Sequence, residues 1–337
     1  MSTEHIDINK FKRDSAFYGE LDLLLTIKNF DLESIRQRYL KSKKNVSGRA
    51  GSIERREVGT GGLAALKLGG SQILNYEVLA QLKEPRGIDK KGELLAFSSE
   101  NRIHLVSEDR IKAIDDIWFS YIHTVAISND STRILVSSSG FDCIFEYDLL
   151  SGEKTLEWFA WENGINKGFD PETGEEVLLT RSEKTAEKHK AKGLKYLLIT
   201  DPLSQVLPTA KRAAFINSVV YDDQDSGKAL ATFFHEGTVN QIDLNSGKVK
   251  VILSDLIKPH GGKNFDSIYL ATSTGSGDIV LGDDSGQRRF SVANLPGKPG
   301  SLQDMEWVQN TVLVDSFLVA IDSNRTSFVI IDPEKGL

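Results

Sequence analysis

Along most of this chain, short apolar runs alternate with polar turns, and the pattern returns about every forty residues. Five segments begin alike, with a polar residue just before an apolar strand. Arg86-Gly87-Ile88 leads to Leu94-Leu95-Ala96-Phe97 and the turn Ser98-Ser99-Glu100-Asn101. His123-Thr124-Val125 leads to Ile134-Leu135-Val136 and a Ser-Gly turn at Ser139-Gly140. Asn217-Ser218-Val219 leads to Leu230-Ala231-Thr232-Phe233 and Phe234-His235-Glu236-Gly237. His260-Gly261-Gly262 leads to Ile268-Tyr269-Leu270-Ala271, and Asp304-Met305-Glu306 to Phe317-Leu318-Val319-Ala320. Third strands close on similar turns, Asp148-Leu149-Leu150-Ser151-Gly152, Asp243-Leu244-Asn245-Ser246-Gly247 and Asp332-Pro333-Glu334-Lys335-Gly336. Their glycines supply the positive φ that hairpins need.

Repeats of this length with several short strands each predict an all-β chain folded as a single β-propeller. Spacings between the starting residues are 37, 94, 43 and 44. Five blades account for them, with the long gap read as an insertion at about 165–211 lying over the channel mouth. Six blades remain open if that gap holds one more. The insertion lacks the strand-turn pattern and holds a charged helical stretch from Ser182 to Lys192. Residues 1–62 do not follow the repeat and are read as a helical and irregular extension, ahead of a propeller spanning 63–337. In the extension Asp31 caps a helix running to Leu40, a basic run covers Lys41 to Lys44, and glycines follow at 48, 51, 59, 61 and 62. The last repeat shows no fourth strand, so the strand at Ile73–Leu82 is expected to pair with Phe328–Ile331 and close the ring.

Composition narrows the function classes. The 337 residues carry a net charge of −7, mixed in sign, which argues against a nucleic-acid surface. Cys143 is the single cysteine, so neither an internal disulfide nor a cysteine zinc site can form. No membrane-spanning run and no secretory leader stand in the sequence. A soluble, cytoplasmic protein is the expectation.

Rotational repetition places equivalent residues at one height around the axis. Arg86, His123, Asn217, His260 and Asp304 are therefore expected to ring the channel mouth. His123 and His260 are the candidate acid–base or nucleophilic residues, joined by His235 in the turn after the second strand. Arg86, Asn217, Asp304 and Glu236 are the candidate ligand-binding residues, with Arg86 as anion clamp. Two imidazoles beside a carboxylate would titrate near neutrality. Two histidines with an Asn and an Asp are also a set that accepts a divalent ion. No HxH or HExxH spacing accompanies them, so no metal ligand and no cofactor is assigned. Trp158, Phe159 and Trp161 read as core, or as a floor under the ligand.

The lines Phe215-Ile216-Asn217-Ser218-Val219-Val220-Tyr221-Asp222 and Gly237-Thr238-Val239-Asn240-Gln241-Ile242-Asp243 resemble blades of NHL-type, gluconolactonase- and strictosidine-synthase-like, and arylsulfotransferase-like propellers. The resemblance covers roughly residues 84–337. Similarity to arylsulfotransferase-like propellers implies channel roles for His123, His260 and Arg86. Similarity to gluconolactonase-like enzymes implies a metal held near Asn217 and Asp304. Two functions follow as expectations. One is an enzyme acting on a small polar or anionic molecule at the channel mouth. The other is a non-catalytic scaffold that presents its surface to a protein partner. Neither nucleic acid nor membrane is an expected partner.

Overall fold

A computed structural model describes residues 2–42, 45, 49, 51–54, 57–108 and 110–337. Lys43, Lys44 and Gly48 of the basic run and glycine stretch lie outside the described residues.

The five repeats form five small antiparallel sheets. The first holds β5 (Ile88–Lys91), β6 (Leu94–Ser98), β7 (Arg102–Ser107) and β8 (Arg110–Asp115). The second holds β9 (Ile122–Ile127), β10 (Arg133–Ser138), β11 (Cys143–Asp148) and β12 (Lys154–Phe159). β16 (Ile216–Tyr221), β17 (Lys228–Phe233), β18 (Thr238–Asp243) and β19 (Val249–Leu253) make the third. The fourth comprises β20 (Pro259–Phe265), β21 (Ile268–Ser273), β22 (Asp278–Gly282) and β23 (Gly286–Ser291). β24 (Val308–Val314), β25 (Phe317–Asp322) and β26 (Ser327–Ile331) make a three-stranded fifth. First strands lie against their neighbours, β9 on β5 and β16, β20 on β16 and β24. Apolar residues alternate into the spaces between sheets, and one buried core runs through the first three. Gly87 is required there, because a Cβ would stand 2.7 Å from Val125 N in the next sheet.

Hydroxyls on first and second strands stitch successive sheets together. Ser98 Oγ donates to Ile122 O at 3.2 Å. Thr124 Oγ1 accepts Val219 N at 2.8 Å, and Thr232 Oγ1 accepts Gly262 N at 2.9 Å. Thr272 and Thr311 share a hydroxyl bond of 2.8 Å.

The N-terminal residues depart from expectation. The helix is present as α1 (Leu32–Ser42), and Asp31 caps it by accepting Ser34 N at 3.0 Å. Strands flank it. β1 (Ser2–Asp7) adds in parallel to the outer edge of β23. β2 (Glu20–Ile27), β3 (Thr60–Gly69) and β4 (Gln72–Lys83) form a separate antiparallel sheet. That sheet packs on the fifth repeat through Tyr18, Leu21, Leu68 and Val319. On its other side Thr26 Oγ1 donates to Arg86 O at 2.6 Å. The expected pairing of Ile73–Leu82 with Phe328–Ile331 is therefore corrected: β4 pairs with β3, and β26 pairs with β25 alone among the described residues. Side-chain packing of a whole sheet fills the gap where a shared strand was expected.

The insertion is not a four-stranded blade. β13 (Lys167–Phe169) pairs with β14 (Glu176–Thr180), which runs parallel to β15 (Tyr196–Leu198) across α2 (Glu183–Ala191). It packs on the flank of the second sheet, where Arg181 pairs with Glu157 and Glu162 and lies 3.9 Å over the Phe159 ring. Trp158, Phe159 and Trp161 are buried core. No helix among the described residues is long and apolar enough to cross a membrane.

Candidate functional site

A cavity of about 420 Å3 lies on the axis, lined by the starts of all five repeats and by β2. Its geometry repeats. Glu84, Tyr121, Phe215 and Lys258 all take left-handed backbone conformations, with φ of 46°, 50°, 50° and 55°. Each stands two residues before Arg86, His123, Asn217 or His260. This shared kink turns the four side chains into the cavity, and all four line it.

The fifth member of the expected ring is misplaced. Asp304 is exposed and outside the cavity lining. Val308 pairs with Asp322 as Ile216 pairs with Phe233, so Gln309 holds the place of Asn217. The 3-10 turn Gly300–Leu302 and the turn after it lengthen the approach to β24. Counting by spacing therefore sets the register five residues early. Gln309 and Glu306 line the cavity instead. His235 and Glu236 also stay outside the lining. His235 Nε2 meets Thr209 O at 3.0 Å, and burial pushes its pKa down to about 3 with help from Arg49.

Two imidazoles are held alike. His123 Nδ1 lies 3.1 Å from Tyr121 O and 2.8 Å from Ser139 Oγ. Ser139 Oγ donates to Ile216 O at 2.5 Å, so it accepts from His123. The proton sits on Nδ1, and Nε2 accepts from Arg86 Nη1. His260 Nδ1 lies 3.1 Å from Lys258 O and 2.8 Å from Thr274 Oγ1. Its Nε2 is left as the acceptor on the cavity side. Burial drives the His123 pKa well below the ordinary value, and Lys28, His260 and Arg212 push it the same way. Burial, with Lys28, lowers His260 to about 4, although the contact with Lys258 O opposes it. Both rings are neutral at pH 7, which corrects the expectation of titration near neutrality.

Arg86 donates through Nη2 to Glu84. Asn217 Nδ2 donates to Pro259 O at 2.7 Å, and its buried Oδ1 finds no partner among the described residues. Beyond the ring, Lys28, Arg38, Arg212 and Lys258 line the cavity, which with Arg86 makes five cationic residues among the described lining. Glu306 is the single carboxylate there, and Lys298 and Arg325 already pair with it. The cavity is thus positive in a protein of net charge −7. Lys258 stands two residues from His260 in sequence, so the repeat register could have flagged it. Lys28 and Arg212 come from outside the repeat starts, where periodicity says nothing.

The lid is not the insertion, of which only Thr209 reaches the lining. Described residues of the connection from β2 to β3 lie at the mouth instead. Ile35 and Arg38 of α1, with Gly51 and Ser52, line the cavity. Arg36 Nη2 donates to Asn324 O at 3.2 Å on one side. Arg49 Nη1 donates to Arg212 O at 2.6 Å and Ala213 O at 2.8 Å on the other. Among the described residues no group of three or more His, Cys, Asp or Glu comes together as metal ligands.

No family model and no curated protein matches this sequence. Solved structures do. A chain of a nidogen/laminin complex is similar over 82% of this chain and 88% of its own length, with a TM-score of 0.53 and 12% identity. Virginiamycin B lyase from Staphylococcus aureus matches over 91% and 98%, with a TM-score of 0.49 and 10% identity. The Swd1 β-propeller domain from Myceliophteria thermophila matches over 70% and 62%, with a TM-score of 0.43 and 10% identity. At such identities the likeness concerns the fold, and the chain is a β-propeller.

Proposed function

We propose that this propeller binds a small anionic molecule in its axial cavity and acts on it by proton transfer through His260, with His123 holding Arg86 in place. The observation that supports this reading is the charge of the lining: five cationic residues and two inward imidazoles against Glu306, which is already paired, with Glu84 behind the lining shared by Arg86 and Lys28. Arg86 is the anion clamp, since a guanidinium makes paired, directional bonds to carboxylate or phosphate oxygens. An anion beside His260 raises its pKa from about 4 toward the ordinary value, which brings it nearer the working range of a base and makes binding tighten as pH falls. A neutral imidazole with Nδ1–H anchored on a backbone carbonyl presents a base at Nε2.

The test is isothermal titration with inorganic phosphate and acetate at pH 7. Removing Arg86 alone would leave the buried Glu84 without its close guanidinium partner, with Lys28 at 3.8 Å, so the pair Glu84→Gln with Arg86→Gln is the informative variant. Affinity should fall about tenfold or more, with the melting temperature nearly unchanged. Wild-type protein that takes up neither anion would overturn the reading. A scaffold role is the second reading, favoured by β4, whose Ile73, Leu74, Tyr76, Val78 and Leu79 are all exposed.

A further inference from the structure

The cavity has two unlike ends. At the channel mouth stand Arg86, His123, His260 and their cationic neighbours. The other end runs outward between the N-terminal sheet and the fifth repeat. It is lined by Leu23 and Leu25 of β2 and by Val312, Val319, Ile321 and Phe328 of the last sheet. Leu23, Leu25, Ile321 and Phe328 are only half-buried although they face a neighbouring sheet, and Val312 is 36% exposed. By strand register, the third-repeat equivalents of Ile321 and Phe328 are Thr232 and Val239, which are fully buried, while Val220, the equivalent of Val312, is half-buried. The slot is therefore apolar surface that the fold leaves partly uncovered at this one side of the axis.

We infer that the ligand is an amphiphile, an anionic head joined to an apolar acyl or aryl arm, with the head at the channel mouth and the arm in this slot. The inference rests on the anion-binding reading above and adds the arm. Covering the slot would remove apolar area from water that the protein alone does not cover. The cavity volume falls within the range of about 300–1,000 Å3 that holds molecules of this kind. The six slot residues are all aliphatic or aromatic, and the polar lining residues of the same strands stand toward the ring: Thr26 bonds Arg86 O, Gln309 is the equivalent of Asn217 and Asn310 lies beside Gly261. The lid over the mouth, fixed at Asn324 and Arg212, would hold the head at the ring and leave the arm to enter the slot.

The experiment is a titration of the full chain with n-alkyl carboxylates from acetate to decanoate, beside n-alcohols of equal length. Affinity for the carboxylates should rise about fourfold for each buried methylene and then level off when the slot is full. Ile321→Trp fills the slot, and Val312→Phe is the second variant should the first fold poorly. In either, the ratio of decanoate to acetate affinity should collapse about tenfold or more. A flat series, with acetate still bound, would overturn the arm and leave the anion site standing. Alcohols binding as tightly as carboxylates, or no binding by either series, would overturn the anion reading and the inference with it.

Discussion

The junction between the second and third repeats and the junction between the fifth repeat and the N-terminal sheet do the same geometrical task by different means. At the first, polar bonds and packing coincide. Thr124 accepts Val219 N, Ser139 donates to Ile216 O, and the buried Asp142 carboxylate accepts Ala213 N at 2.8 Å and Phe215 N at 2.6 Å. Ile122, Ile216 and Val219 are fully buried between them. At the second, a small cluster around Tyr18, Leu21, Leu68 and Val319 supplies the packing. Beside it the cavity opens. Consecutive repeats hand the chain to one another, so backbone and hydroxyl can meet in register. The closing junction joins segments some three hundred residues apart, where side-chain burial is supplemented by scattered polar bonds such as Arg36 Nη2 to Asn324 O at 3.2 Å and Lys12 N to Gly336 O at 3.0 Å. A ring assembled this way keeps its loosest seam where its ends meet, and the ligand site uses that seam.

The sharpest way to break this comparison is Asp142→Ala. Asp142 also receives Trp161 Nε1 at 3.3 Å, so its loss strands several buried N–H groups. Each stranded group costs about 1–3 kcal/mol, and a total above about 3 kcal/mol is expected in urea unfolding. Phe215 is released with it, so anion affinity should fall as well. A loss below 1 kcal/mol would show that this junction does not rest on Asp142.

Matched substitutions measure the packing difference directly. Ile122→Ala in the tight region should cost about 2–5 kcal/mol, as fully buried isoleucines do. Ile321→Ala at the closing seam should cost less than about 1.5 kcal/mol, because the cavity beside it is already open. Equal costs would mean that the seam is as well packed as the rest.

Much of this was legible in the sequence, for identifiable reasons. Repeat-start residues are fixed by strand pairing and a shared backbone kink, so Arg86, His123, Asn217 and His260 could be found by spacing. Asp304 could not, because an irregular turn before β24 hides the register. The N-terminal sheet was illegible for another reason. β2 and β3 are separated by α1 and the lid, so they carry no local hairpin signal, and a helix at Asp31 draws attention away from them. The apolar runs at 21–27 and 63–68 were visible, but their partnership is a tertiary fact. Lys28 and Arg212 share that origin.

The two histidines make the site itself a pH-dependent element. Above about pH 6.5 an unfolded histidine is neutral, as His260 is in the folded protein. As pH falls below that value the unfolded chain gains a proton that folded His260 refuses until about pH 4. Stability is therefore lost across that window as pH falls. His123, also lowered by burial, acts in the same direction. Urea midpoints measured from pH 7.5 to 4.5 should drop for wild type and drop less for His260→Gln. Identical slopes would remove His260 from the account.

The smallest expected effect separates two hydroxyl bridges that look alike. Thr26, where the N-terminal sheet meets the first repeat, donates to Arg86 O. Thr124, between the second and third repeats, accepts Val219 N. Thr26→Val removes a donor from a carbonyl, which tolerates one lost partner because it has two lone pairs. Thr124→Val strands a buried N–H, and an orphaned donor is the costlier of the two. Thr26→Val should therefore lower stability by only about 0.5–1 kcal/mol, and Thr124→Val by about 1–3 kcal/mol. The ordering is the test, read as the shift in urea midpoint. If Thr26→Val proves the more damaging, the bridge from the N-terminal sheet to the first repeat carries more than a spare acceptor contact, and the donor-before-acceptor ordering fails at these two sites.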